Sequence, residues 1–98
     1  MPAYVFVNFE VLDAERQAAF LPRFQAALAA AGGRIAAFGE VVERLEGEVE
    51  PYPRAAVFEF PDLAAAQDFY RSAAYAPLRA ERQQIQRARM FIVAPPVL

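Results

Sequence analysis

The stretch Ala3-Tyr4-Val5-Phe6-Val7-Asn8-Phe9-Glu10-Val11 alternates as a β-strand does, yet it carries large apolar side chains on both faces. One set is Ala3, Val5, Val7 and Phe9; the other starts with Tyr4 and Phe6 and turns polar at Asn8 and Glu10. A strand with one wet face should divide more cleanly. The same two-sided character recurs in Ala55 to Phe60, where Ala56, Phe58 and Phe60 oppose Ala55, Val57 and Glu59. It appears again near the end, where Met90 and Ile92 oppose Phe91 and Val93.

Outward from the first strand, Asp13 supplies a helix N-cap, and Phe20, Leu21, Phe24, Ala27, Leu28 and Ala31 recur at helical spacing. Gly32-Gly33 closes that helix where a left-handed residue is needed, and Pro22 inside it is expected to kink it. Arg34 to Leu45 reads as a second strand region with a bulge or bend at Gly39, followed by an acidic, proline-containing loop from Glu46 to Arg54. Ala55 to Phe60 is the third strand. Asp62 caps the next helix, through Leu63, Ala66, Phe69 and Tyr70; Ser72 caps a further turn, and Pro77 sets off a helix over about residues 77 to 87. Met90 to Val93 is the last strand, stopped by Pro95-Pro96.

The order βαββαβ predicts an α+β chain on the ferredoxin-like, split βαβ plan. It has one four-stranded antiparallel sheet with the helices on one face, in a single domain over residues 1–98. The other face then holds large apolar groups, each worth about 1.5–3 kcal/mol when buried, and the chain has no third layer to cover them. A second copy packed sheet to sheet about a twofold axis covers both faces at once, so a homodimer is expected.

The residue inventory narrows the chemistry. The chain has no histidine, cysteine, lysine, threonine or tryptophan, and Ser72 is its one serine. That excludes a Ser/His/Asp or Cys/His nucleophile, a Schiff-base lysine, a histidine or cysteine metal site and a histidine-ligated haem; no metal or cofactor is expected. All ten basic residues are arginine, beside 22 alanines, a bias that reads as GC-rich codon usage in a bacterial gene. The net charge of -2 argues against nucleic acid, which calls for a basic surface. With no apolar run near membrane-spanning length, no signal-peptide pattern and no disulfide framework, a cytoplasmic protein without membrane contact is expected. Residues 40 to 50 hold five Glu and one Arg, whereas residues 71 to 89 hold five Arg and one Glu. Such a contrast suits steering of an anion toward the second helix or recognition between subunits, and equally two solvated faces.

Few polar residues stand where a ligand would meet them. Arg82 lies four residues after Leu78 and three before Ile85, so it shares the apolar stripe of its helix. An inward guanidinium wants a carboxylate or an anionic ligand; the plainer alternative is a packed stem whose head snorkels or pairs with a structural Glu. Glu59, between Phe58 and Phe60, is the candidate catalytic base, against the plainer role of an ion pair with Arg82 or Arg89. Tyr70 and Tyr75 have hydroxyls able to orient a ligand, although aromatics at helical spacing also build core. Asn8 and Glu10 either line a cavity or hydrogen-bond across the dimer.

In order and spacing, Pro2-Ala3-Tyr4-Val5, Gly32-Gly33-Arg34, Leu45-Glu46-Gly47, Phe58-Glu59-Phe60-Pro61 and Phe69-Tyr70-Arg71-Ser72, followed by Tyr75, Leu78 and Arg82, resemble domain-of-unknown-function family 1330. The resemblance spans residues 2 to 94 and implies the dimeric α/β-barrel superfamily, in which two ferredoxin-like sheets pair. It brings no reaction with it. By fold-level analogy it implies room for a metal-free, cofactor-free enzyme of isomerase, lyase or monooxygenase type on a small anionic or aromatic metabolite. Glu59 would be its base and Arg82 its anion clamp. The alternatives are a non-catalytic ligand-binding dimer and a structural dimer. Two positions depart from the family pattern: Phe20 stands where a tyrosine is expected, and Phe38 where an arginine often precedes the glycine.

Overall fold

A computed structural model describes residues 1–96. The elements are β1 (Ala3–Val11), α1 (Ala14–Ala30), β2 (Arg34–Glu40), β3 (Arg54–Phe60), α2 (Leu63–Arg71), α3 (Ala76–Ile85) and β4 (Gln86–Val93). The strands form one sheet in the order β2-β3-β1-β4, antiparallel throughout. β3 lies between β1 and β2, and β1 lies between β3 and β4, so each helical crossover skips one strand, as in the split βαβ plan. Among the described residues no helix is long and apolar enough to cross a membrane.

The alternation of β1 sets the two faces. Ala3, Val5, Val7 and Phe9 are buried, and Tyr4, Phe6, Asn8 and Glu10 are half-buried. Register extends the division across the sheet: Val5 pairs with Phe58 and Ile92 on the helix side, and Phe6 pairs with Val57 and Phe91 on the open side. On the open side the Phe6 and Phe91 rings stack with centroids 5.5 Å apart and planes 3° apart, and Phe91 remains 57% exposed. Ion pairs Arg34–Glu59 and Arg87–Glu10 flank this aromatic pair.

Under the helices an aromatic core forms. Phe24 of α1 meets Phe58, Phe69 and Tyr75 at 5.0, 6.2 and 6.2 Å, and Phe60 and Phe69 lie 5.5 Å apart. Helix ends hold these rings in place. The Asp13 carboxylate accepts from the Arg16 N–H at 3.0 Å, and that of Asp62 from the Ala65 N–H at 2.8 Å. At the far end of α1, Gly32 N–H donates to the Ala29 carbonyl at 3.0 Å and Gly33 N–H to that of Leu28 at 2.9 Å, a Schellman closure that needs the φ of +82° at Gly32.

Gly33 is required for space instead. A Cβ there would stand 2.7 Å from Leu28 Cδ1 and 2.8 Å from Phe60 Cε1. Both side chains are fully packed, so the overlap cannot be relieved by swinging either into solvent. Gly33→Ala is therefore expected to lower unfolding stability by about 1–3 kcal/mol, read as a reduced urea midpoint, with Gly39→Ala, which meets nothing within 4 Å, as the neutral comparison.

Several details differ from the sequence expectation. β2 stops at Glu40, and its irregularity lies between Ile35 and Ala37, not at Gly39. Skipping Ala36 lets both Ile35 and Phe38 pair on the helix side, opposite Phe58 and Ala56. β4 begins at Gln86, directly after α3, because Gln86 to Arg89 pair with Val11 to Asn8; the polar open-face members Arg87 and Arg89 mask the alternation. α1 continues through Pro22 as one helix.

Candidate functional site

The helix side of the sheet is not filled at the end where β1 finishes and β4 begins. A cavity of 290 Å³ lies there, walled by Val7, Phe9, Phe58 and Met90 from the sheet and by Phe20 and Phe24 from α1. Its polar groups are Gln17, Arg54, Tyr75, Arg82 and Gln86, and no carboxylate is among its lining residues. Apolar walls with a few convergent polar groups are the usual make-up of a small-molecule site. Phe20 and Phe38, the two departures from the family pattern, both line it.

Arg82 is the unusual member. It is 7% exposed on α3, and its Nε donates to the Tyr75 hydroxyl at 3.2 Å. Among the described residues it takes part in no ion pair. A buried guanidinium loses several kcal/mol of hydration unless a charge or strong acceptors replace it. No fully buried side-chain nitrogen or oxygen among the described residues is left without a partner, so the terminal nitrogens of Arg82 are not sealed in the core, and Arg82 lines the cavity.

Tyr75 is held by the turn before α3. Ser72 Oγ accepts from the Tyr75 N–H at 3.1 Å and donates to the Phe69 carbonyl at 2.8 Å, the capping role its sequence position implies. Phe69 stacks on the Tyr75 ring at 4.5 Å. Burial raises the Tyr75 pKa, and the adjacent Arg82 opposes that shift only in part. The hydroxyl therefore stays protonated; while accepting from Arg82 it keeps its own proton for an acceptor in the cavity. On the far wall Gln86 Nε2 donates to Gln17 Oε1 at 2.7 Å, joining β4 to α1.

The other expected site residues lie elsewhere. Glu59 faces the open side of the sheet, opposite Tyr4 in register, and its carboxylate accepts from Arg34 Nε at 2.7 Å. The ion-pair partner is thus the cross-strand Arg34, not Arg82 or Arg89, and Glu59 and Arg82 sit on opposite faces of one sheet. Glu59 also raises the pKa of Tyr4, chiefly by accepting from its hydroxyl. Asn8 is on the open face as well, with its amide engaged by backbone: Nδ2 donates to the Tyr52 and Arg54 carbonyls, each at 2.9 Å, and Oδ1 accepts from the Tyr52 N–H at 3.0 Å. It clasps the loop before β3 and does not line the cavity. Arg89 lies 4.4 Å over the Tyr52 ring in the same corner. Tyr70 borders a second groove beside β4 with Arg71 and Ile92, and Arg79 stacks over its ring at 5.2 Å.

Gln17, Arg54 and Gln86 were not singled out by the sequence reading, although periodicity points to each. Gln17 stands three and seven residues before Phe20 and Phe24. Arg54 shares its alternation with Ala56, Phe58 and Phe60, and Gln86 shares its own with Ala88, Met90 and Ile92.

A family model, the domain of unknown function DUF1330, matches residues 2–95. This chain belongs to the DUF1330 family. Among solved structures, the DUF1330 chain is similar to RPA0582, a protein of unknown function from Rhodopseudomonas palustris, at 18% identity and a TM-score of 0.76, covering 99% of this chain and 84% of that one. It is similar to SnoaB, a cofactor-independent oxygenase from Streptomyces nogalater, at 12% identity and a TM-score of 0.70, covering 99% and 95%. A dimeric ferredoxin-like protein of unknown function from Jannaschia sp. CCS1 matches at 15% identity and a TM-score of 0.63, covering 97% and 100%. At these identities the likeness is one of fold, and the fold of this DUF1330 chain is ferredoxin-like. No curated protein matches it.

Proposed function

We propose that this protein is a homodimer, paired open face to open face, in which each subunit binds a small, mostly apolar anion in the cavity beneath α1. The observation that carries the reading is Arg82, buried beside Tyr75 without a carboxylate partner in a cavity whose lining has no acid. Its terminal N–H groups and the Tyr75 O–H supply charge-assisted and neutral donors to one oxyanion, and the phenylalanine walls take an aliphatic or aromatic body. Dimerisation is supported by the stacked, solvent-facing Phe6–Phe91 pair and by the dimeric neighbour of the same fold.

Donors aimed at an oxyanion serve binding, and they serve catalysis wherever negative charge grows on the substrate, as in enolate- or phenolate-forming isomerase, lyase and monooxygenase chemistry. The catalytic version is favoured by the Arg82–Tyr75 pair itself and is in keeping with the oxygenase activity of SnoaB, a protein of the same fold. Glu59, on the other sheet face, is assigned to the dimer contact and not to the ligand.

Calorimetric titration with octanoate and benzoate, each beside its neutral amide, tests this. The acids are expected to bind at least about tenfold more tightly than the amides, since hydrogen bonds to a charged group contribute roughly 1.5–3 kcal/mol. Because the Tyr75 pKa is raised, the donor is retained through neutral pH; affinity should be level there and fall only above about pH 10, as the phenol ionises. Equal affinity for acid and amide would refute anion recognition.

A further inference from the structure

Arg82 is not the only cation at the cavity. Arg54, the first residue of β3, lines it too and takes part in no ion pair among the described residues. Its cross-strand neighbour Glu40, the nearest acid in the ladder, is not within 4 Å of its guanidinium. Arg54 is exposed at the outer end of the alternation that buries Ala56, Phe58 and Phe60, which sets its guanidinium at the rim of the cavity. Its backbone is also pinned. The Arg54 carbonyl accepts from Asn8 Nδ2, and the same amide binds both backbone groups of Tyr52, so the open-face clasp fixes where the Arg54 side chain leaves the sheet.

Two guanidiniums thus face one apolar cavity that offers neither of them a carboxylate. They enter from different sides. Arg54 pairs with Phe9, and Phe9 with Ala88, so Arg54 starts two strands, about 10 Å, from β4, whose first residue Gln86 adjoins Arg82 at the other wall. A ligand with one acidic group would pair with Arg82 alone; a ligand acidic at both ends would also pair with the solvent-exposed Arg54 at the rim.

We infer that the ligand class is a compound with an apolar middle and two acidic ends, one seated on Arg82 and Tyr75 inside the cavity and the other held at its rim by Arg54. This rests on the anion-binding reading above and adds the second charge to it. Gln17 and Gln86 lie beside the path between the arginines, where their amides can accommodate a polar group on the middle of the ligand.

The test is a series of linear dicarboxylates from succinate to sebacate, titrated beside the monocarboxylates of equal chain length, with the intact protein and with Arg54→Gln and Arg54→Lys. At one chain length the diacid should exceed its monoacid by about fivefold, the scale of a solvent-accessible ion pair. The diacid-to-monoacid ratio should fall to about one in Arg54→Gln and recover in Arg54→Lys. A ratio near one for every length in the intact protein, or a preference that survives Arg54→Gln, would overturn the inference while leaving single-anion binding at Arg82 in place. Absence of binding by every acid would overturn both.

Discussion

Arg82→Met is expected to weaken octanoate binding by roughly 10- to 100-fold without loss of folding stability. The first half follows from the energy of a charge-assisted hydrogen bond to a buried carboxylate, about 1.5–3 kcal/mol, since Arg82 is the arginine that hydrogen-bonds Tyr75. If Arg82 were a structural residue satisfied by the fold, removing it would leave a broken network and cost about 3–5 kcal/mol. Here it has one side-chain partner, Tyr75, and no carboxylate among the described residues, so a methionine of similar reach removes an uncompensated charge. The urea midpoint of Arg82→Met should equal or exceed that of the parent protein. A collapse in stability with little change in affinity would assign Arg82 to structure.

Phe6→Glu is expected to convert the dimer to a monomer at micromolar concentration, measured by sedimentation velocity. Phe6 stands at the centre of the open face, between Val57 and Phe91 and stacked on the latter at 5.5 Å. A twofold interface repeats every substitution, so two carboxylates would be buried at once, each with a desolvation penalty of several kcal/mol and no arginine directly opposite, where Val57 and Phe91 stand. The single subunit should lose little, because no helix packs on this side of the sheet. A dimer that persists in Phe6→Glu would place the interface elsewhere.

Much of the fold was legible because β1 is long and its alternation is regular. Both apolar sets were visible in it. The helix caps at Asp13 and Asp62 and the Gly32-Gly33 closure were readable for a similar reason: each is a local device whose chemistry sits in adjacent residues. Arg82 was legible as an arginine in an apolar stripe, and the structure buries it.

What depended on pairing at a distance was not. The bulge between Ile35 and Ala37 serves to bring both Ile35 and Phe38 to the helix side, which is decided by β3 and not by β2 itself. The clasp of Asn8 reaches the backbone 44 and 46 residues away, so nothing near Asn8 announces it. The link expected between Glu59 and Arg82 failed on parity: Glu59 belongs to the Val57 alternation, which faces away from the helices, while Arg82 belongs to α3 on the other side of the sheet. Arg54 was recoverable as a rim residue by the same parity, since it ends the alternation of Ala56, Phe58 and Phe60, and it is exposed there.

If the cavity beneath α1 receives an acid at Arg82 and Tyr75, a crystal structure of the protein grown with octanoate will show the acid there. A carboxylate is expected within about 3 Å of the Arg82 terminal nitrogens and of the Tyr75 hydroxyl, with the chain lying between Phe20, Phe24 and Phe58. An empty cavity at saturating octanoate, or Arg82 paired to a glutamate of the partner subunit, would contradict it.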